Sequence, residues 1–257
     1  MMDALFKSKV LVNKMFGAIG YKIIAKNTFN YNIDLTDQEK KILDYVLKNR
    51  LTMGSKDNLA ATILTIRYIC QNKIKGHFVE CGIWRGGHGI AAALTFDLYQ
   101  SKNKVICFDT FLGMTKPTDE DSRIYDSTKA ITKFQSSSRE NHVEWCYASF
   151  EEVENNFLRA GVSKANFQLI KGDVAETLPK FEVDAISFLR LDSDWYESTK
   201  VELKYLWPLL SLNGVLVVDD YGHWQGSKKA VDEFFQSSPT ILFHAIDYSS
   251  RSGIKIK

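Results

Sequence analysis

From residue 77 to the end of the chain, short apolar runs alternate with helix-like stretches. The runs are 77–81 (HFVEC), 104–108 (KVICF), 166–170 (NFQLI), 183–190 (VDAISFLR) and 214–218 (GVLVV). Helical patterns fill 88–100, 149–160, 196–210 and 226–236, and Ser149 with Glu152 has capping-box spacing at the start of one of them. Continuous apolar runs separated by helices are strands buried on both faces, which predicts a parallel sheet wound on both sides. The last two runs, 241–246 (ILFHAI) and 253–257 (GIKIK), have only Asp247–Ser252 between them. No crossover helix fits there, so this pair is expected to be antiparallel. The pattern therefore predicts an α/β domain whose mostly parallel, seven-stranded sheet ends in an antiparallel hairpin.

Helices precede the sheet. Thr36 and Glu39 have capping-box spacing and open one through about Lys48. Ser55 can cap the next, which carries Leu59, Ile63, Ile66, Tyr68 and Ile69 towards Cys70. Before them, apolar residues from Leu5 to Ile24 recur at three- and four-residue spacing among lysines, the pattern of an amphipathic helix weakened by Gly17 and Gly20. Domain organisation is read as a basic arm with helices over 1–50 and the α/β domain over 51–257. The stretch 113–146 fits no element well and is read as a long excursion over the strand ends, with a helix over 126–135. Excursions of this length are usually lids or substrate loops.

Composition narrows the classes. The 257 residues are 45% hydrophobic and 25% charged, which suits one soluble globular domain. A net charge of +2 gives no basic surface for a nucleic acid. That figure averages an arm, residues 1–33, with five lysines and one acid, against a mildly acidic body. No apolar run is long enough to span a bilayer, and no signal peptide is evident. The four cysteines lack CxxC or metal spacing and read as buried reduced thiols, which favours a cytoplasmic location.

The candidate chemistry lies at the strand ends. The first strand runs into Glu80-Cys-Gly82-Ile-Trp84-Arg-Gly86-Gly87-His88, an ExGxxxG turn rather than GxGxxG. Glycines let backbone approach a ligand at a helix N-terminus, and the carboxylate suits a cationic ligand bearing an amino group and a sulfonium. Asp109, at the end of the second strand, stands where doubly wound folds bind ribose hydroxyls, and Asp173 could reach an adenine amino group. The fourth strand ends in Leu191-Asp192-Ser193-Asp194 and the fifth in Val218-Asp219-Asp220. Four carboxylates on one rim repel one another, and a hard divalent cation such as Mg²⁺ is the economical counter-charge. His223 could be a base, a donor near the metal, a substrate contact or purely structural. His142 is assigned to the substrate loop, and Met53 to core packing by default. No Ser/His/Asp set is found.

Glu80–Gly87 (ECGIWRGG), Asp109–Met114 (DTFLGM), Leu189–Thr199 (LRLDSDWYEST) and Val218–Trp224 (VDDYGHW) resemble the macrocin O-methyltransferase family, in order over about residues 50–236. That family is similar to enzymes that methylate sugar hydroxyls of mycinamicin and of novobiocin's noviose. The resemblance implies a class I, Rossmann-like fold dependent on S-adenosylmethionine, acting on a sugar hydroxyl of a natural-product glycoside, polysaccharide or lipid-linked glycan. It implies Mg²⁺ on Asp192, Asp219 and Asp220, with Asp194 as general base. It puts Glu80, Gly82, Gly86, Asp109 and Asp173 on the cofactor side, with Trp84, His88, Thr52 and Met53 as further contacts. His88 stands where small residues are common in the family, and the 113–146 loop matches no member of known acceptor. The arm is more like those of relatives expected to act on polysaccharide or lipid-linked sugars.

Rival readings are a nicotinamide oxidoreductase, disfavoured by the missing GxGxxG, and a non-catalytic scaffold, disfavoured by the intact acids. A phenolic or catechol O-methyltransferase usually carries Asp-Asn where this chain has Asp219-Asp220. The arm is expected to pack on its own domain or on a partner subunit of a homo-oligomer. The alternative is contact with anionic lipid at the inner membrane face.

Overall fold

The computed structural model describes residues 33–236 and 241–257, so the amphipathic arm expected over Leu5–Ile24 lies outside the described residues. Residues Leu35–Lys257 form one compact unit. It takes in helix α1 (Asp37–Lys48), which the expected boundary at residue 50 leaves with the arm. The Thr36–Glu39 box is complete: Glu39 N donates to Thr36 Oγ1, and Thr36 N donates to Glu39 Oε2 at 2.8 Å. Helix α2 (Lys56–Gln71) follows, capped by Ser55.

The sheet then builds from β1 (His77–Cys81), β2 (Val105–Asp109), β3 (Phe167–Lys171), β4 (Ile186–Leu191) and β5 (Leu210–Val218). Between them run α3 (Gly87–Leu98), α4 (Ala130–Ser137), α5 (Phe150–Arg159), the single turn α6 (Val174–Thr177) and α7 (Tyr196–Leu206). After β5 come α8 (Gln225–Gln236), β6 (His244–Ala245) and β7 (Arg251–Ile254). Strand order is β3-β2-β1-β4-β5-β7-β6, parallel except where β7 meets β5 and β6. The seven-stranded sheet with its antiparallel hairpin is as the apolar runs predict.

Several boundaries move for local reasons. The run 183–190 starts as strand only at Ile186 and extends through Leu191. The helix expected over 126–135 begins at Ala130, because Asp126 Oδ1 instead accepts from Thr128 N in a turn. The helix expected to reach 210 leaves α-geometry at Trp207, where Pro208 sits in a 3₁₀ turn. The hairpin strands shorten and shift because Asp247 Oδ1 takes the N–H groups of Ser249 and Ser250, setting the turn between them. At Ser149 the capping box is half formed. Ser149 Oγ accepts from Glu152 N, but the Glu152 carboxylate turns to Arg85 at 2.6 Å.

Register positions the site. Cys81 pairs with Phe108 and Leu191, and Leu191 pairs with Val218, so four strands end on one line. The pairing continues one residue further: Gly82 N donates to Phe108 O, Asp192 N to Cys81 O and Asp219 N to Leu191 O, each at 2.9 Å. Strand alternation sends Val79, Cys81, Leu189, Leu191, Leu216 and Val218 into the main core. Glu80 and its cross-strand partner Arg190 therefore share the opposite face, both almost fully buried.

On α7 a second acid is buried. Glu202 is 0% exposed, and neither carboxylate oxygen has a hydrogen-bond partner among the described residues. Burial raises its pKa well above the ordinary carboxylate value. An acid with a raised folded pKa binds its proton more tightly when folded. Stability is therefore lost as pH rises above the unfolded value of about 4.3. Glu202→Gln is expected to raise Tm, with a gain that grows between pH 5 and pH 8, at about 2–4 °C per kcal/mol for a chain of this size. Thermal melts across that range check it; a gain independent of pH would contradict the assignment.

Candidate active site

One cavity of about 880 Å³ opens at the C-terminal edge of the parallel strands. This is where open α/β sheets bind their ligands. Of the residues singled out in the sequence, Thr52, Met53, Glu80, Gly82, Trp84, His88, Asp109, Asp173, Asp192, Asp194, Asp219, Asp220 and His223 line it. Gly86 does not. It starts α3 at φ 84°, and a Cβ there would meet Phe157 at 2.8 Å, on the side of α5. Met53 is no core residue, being 61% exposed at the cavity. His142 stacks on Tyr147 away from the lining residues.

The glycine turn is built by sequence-distant partners. Gly82 has φ 77°, and a Cβ there would fall 1.9 Å from Asp192 O, so only glycine lets β1 turn this close to the end of β4. Asp109 holds the turn: its Oδ2 accepts from Ile83 N at 2.8 Å and Trp84 N at 3.2 Å, and its Oδ1 from Phe111 N at 2.8 Å. Burial raises its pKa against these donors. The sequence suggested a ribose contact for Asp109; here most of its acceptor capacity fixes the loop. Asp173, read as an adenine contact, caps α6 through Ala175 N while facing the cavity.

Arg190, which the sequence reading passed over, ties the rim together. Its Nε donates to Glu80 Oε1 at 3.0 Å and its Nη1 to Asn58 Oδ1 at 3.0 Å. Its Nη2 donates to Asp192 Oδ2 at 2.8 Å and Asp219 Oδ1 at 2.6 Å. Asn58 and Ser250 add further donors to Asp219 Oδ1. Burial alone would raise the Asp219 pKa, but Arg190 beside it holds the carboxyl well below the usual range. Asp192 is raised by burial and by Asp219, and Asp220 by burial and by Asp194. Glu80 is pushed up to about 7 by burial, with Arg190 opposing.

Asp192, Asp219 and Asp220 each offer a carboxylate oxygen, and these lie within 4.8 Å of one another. Asp220 Oδ2 is buried and has no hydrogen-bond partner among the described residues. An all-oxygen set with an unsatisfied member fits a hard divalent cation. Asp194 sits beside this set at φ 68°, a left-handed conformation that Asp tolerates better than most residues. Trp224 Nε1 donates to Asp194 Oδ1 at 2.9 Å, and burial pushes Asp194 up to about 7, with Asp192 and Asp219 adding to the rise.

Aromatic rings close the outer side. Trp145, Trp195 and Trp224 pack with centroids 5.0–6.0 Å apart, and Trp195 Nε1 donates to Thr115 O in the 113–146 excursion. His223 stands at the mouth, its Nδ1 3.0 Å from Tyr248 Oη, with burial and Arg123 lowering its pKa. His88 has Nδ1 2.8 Å from Thr62 Oγ1 and an unpartnered, buried Nε2. Burial, with Arg190 adding, lowers its pKa well below the usual histidine value. Arg190 could have been suspected as the lone base in an apolar strand whose neighbour carries a lone acid. Asn58 and Trp224 give no comparable signal.

The chain is 32% identical over 164 residues to demethyldecarbamoylnovobiocin O-methyltransferase of Streptomyces niveus, covering 63% of this chain and 59% of that protein. It is 28% identical over 216 residues to 8-demethyl-8-(2,3-dimethoxy-alpha-L-rhamnosyl)-tetracenomycin-C 4'-O-methyltransferase of Streptomyces olivaceus, covering 82% of this chain and 78% of that one. Among solved structures its fold is similar to that of the O-methyltransferase NovP, with TM-score 0.73 and 23% identity over 85% of this chain and 98% of that chain. It is also similar in fold to the calicheamicin methyltransferase CalS11, with TM-score 0.61 and 15% identity over 91% of this chain and 98% of that chain. The family profile described as Macrocin-O-methyltransferase (TylF) matches residues 15–247, and the chain belongs to that family.

Proposed function

We propose that this chain transfers a methyl group from S-adenosylmethionine to a hydroxyl of a sugar, with Mg²⁺ held by Asp192, Asp219 and Asp220. The observation that carries the reading is the juxtaposition, in one cavity, of the Gly82 turn, the three-carboxylate set and Asp194 held by Trp224. When bound, the cofactor supplies an electrophilic methyl on a sulfonium, and the divalent ion supplies charge that lowers the pKa of an alcohol.

The chain's own groups do the rest. Asp194 accepts the hydroxyl proton at a carboxylate oxygen. Without the ion, burial pushes its pKa up to about 7, and the charge of a bound cation would favour the ionised form that accepts a proton. The Trp224 N–H fixes which way that carboxylate faces. Arg190 immobilises Asp192 and Asp219, so the set needs little reorganisation. Glu80 keeps Oε2 without a hydrogen bond on the cofactor side, where an ammonium would satisfy it. Trp145, Trp195 and Trp224 form an apolar cluster that excludes water beside Asp194. The sugar assignment is further supported by the Streptomyces olivaceus relative, whose name describes O-methylation of a rhamnosyl-bearing tetracenomycin.

Asp194→Asn is expected to bind S-adenosylhomocysteine as tightly as the wild type while losing about 10²–10⁴-fold in turnover. Calorimetry beside a methyl-transfer assay reads both, and near wild-type turnover would remove Asp194 as the base. Trp224→Phe deletes the donor to Asp194 and should lower kcat about tenfold, with cofactor affinity kept. Transfer should stop in EDTA and return with Mg²⁺; turnover that persists in the chelator would leave the three acids without a metal role.

A further inference from the structure

The cavity wall contributed by residues 113–146 is sorted by charge. That segment contains six carboxylates and five basic side chains, interspersed along the sequence. Four of the bases, Lys116, Arg123, Lys129 and Lys133, line the cavity, and none of the six carboxylates does. The remaining lining is the reverse, with nine carboxylates and no lysine or arginine. One wall is thus cationic and faces the acidic rim that bears the reacting groups.

Local ion pairs account for only half of the cationic wall. Arg123 lies 3.5 Å from Asp126, and Lys129 lies 3.4 Å from the exposed Asp119. Lys116 and Lys133 form no salt bridge among the described residues. Lys133 Nζ sits 4.1 Å from the centre of the Trp145 ring instead. An ammonium over a ring face keeps donors free for another partner. Trp145 packs on Trp224, which holds Asp194, so this cation is joined to the base by direct ring contacts. It also acts on the Cys146 thiol, which lies in the field of Asp194 as well. Lysines present only to neutralise the rim would be expected on its carboxylates, and these two are not.

We propose that this wall binds the phosphate or pyrophosphate group of a phosphorylated sugar, holding the sugar between Lys133 and Asp194. The inference rests on the sugar O-methylation reading and narrows its acceptor. Lysine ammonium groups suit phosphate as mobile point charges, and two unpaired cations match a group carrying about two negative charges. A lone sugar carboxylate would be better served by a free arginine fork, and Arg123 already faces Asp126 and Tyr125.

The test is calorimetry on the full chain saturated with S-adenosylhomocysteine, in EDTA so that no probe acts through a metal. Inorganic pyrophosphate, uridine diphosphate and farnesyl pyrophosphate are the probes. Pyrophosphate is expected to bind, about tenfold or more weakly in the Lys116→Gln/Lys133→Gln double variant, with much of the loss restored by Lys133→Arg in the Lys116→Gln background. Tightest binding of uridine diphosphate would assign a sugar nucleotide, tightest binding of the farnesyl probe a lipid-linked sugar, and equal binding a simple sugar phosphate. Each of these supports the proposal. No binding by any probe, or binding unchanged in the double variant, overturns it. Failure to bind S-adenosylhomocysteine would instead sink the methyl-transfer reading, which separates the two.

Discussion

A guanidinium buried to 1% exposure in the middle of a parallel sheet is the constraint around which this site is organised. Such a charge is tolerated only when paired and hydrogen-bonded, and removing one member of a buried pair typically costs about 3–5 kcal/mol. Arg190 meets the requirement by reaching β1 through Glu80, α2 through Asn58, the end of its own strand through Asp192 and the end of β5 through Asp219. Three strand ends and a helix are therefore held at one spacing by one side chain. Backbone ladders set the register of the three strands, and the fork geometry of the guanidinium adds α2 and fixes the side-chain oxygens against that frame.

The same group makes the carboxylates unequal. Five acids (Glu80, Asp192, Asp194, Asp219 and Asp220) converge on one guanidinium, which cannot neutralise them all. Asp219, in closest contact with Arg190, stays ionised, whereas Asp194 and Glu80 are pushed up to about 7. Excess negative charge in a buried cluster must be met by protons or by a cation. The unsatisfied Asp220 Oδ2 marks where that second charge would be received. The proposed divalent ion and basic carboxylate thus rest on one unbalanced ion cluster.

Legibility in the sequence divides along physical lines. The sheet was readable because strands buried on both faces leave unbroken apolar runs, and the hairpin because six residues cannot hold a crossover helix. The acids at 192, 194, 219 and 220 were readable because each follows such a run directly. Arg190 left only a weak signal, a lone base inside ISFLRL, and the register Glu80↔Arg190 is what reveals its partner. Asn58 is brought to the site from α2 by tertiary packing, which no local pattern announces. Asp109 was read at the right place, but its carboxylate is spent largely on three backbone donors of the turns beside it.

The excursion over the strand ends follows a different logic from the rim. Its charges are interspersed in sequence and nearly cancel, so composition shows nothing; in the fold four of its five bases line the cavity and none of its six acids does. Asp121 anchors the segment. Fully buried, it accepts from Thr118 N and Thr118 Oγ1 on one oxygen and from Tyr196 N on the other, fastening the excursion to the start of α7. The segment is therefore an ordered wall fixed to the scaffold at Tyr196, two residues beyond Asp194. Such an arrangement lets the lining of the wall change its ligand while the Arg190 cluster, on which the chemistry depends, is left untouched.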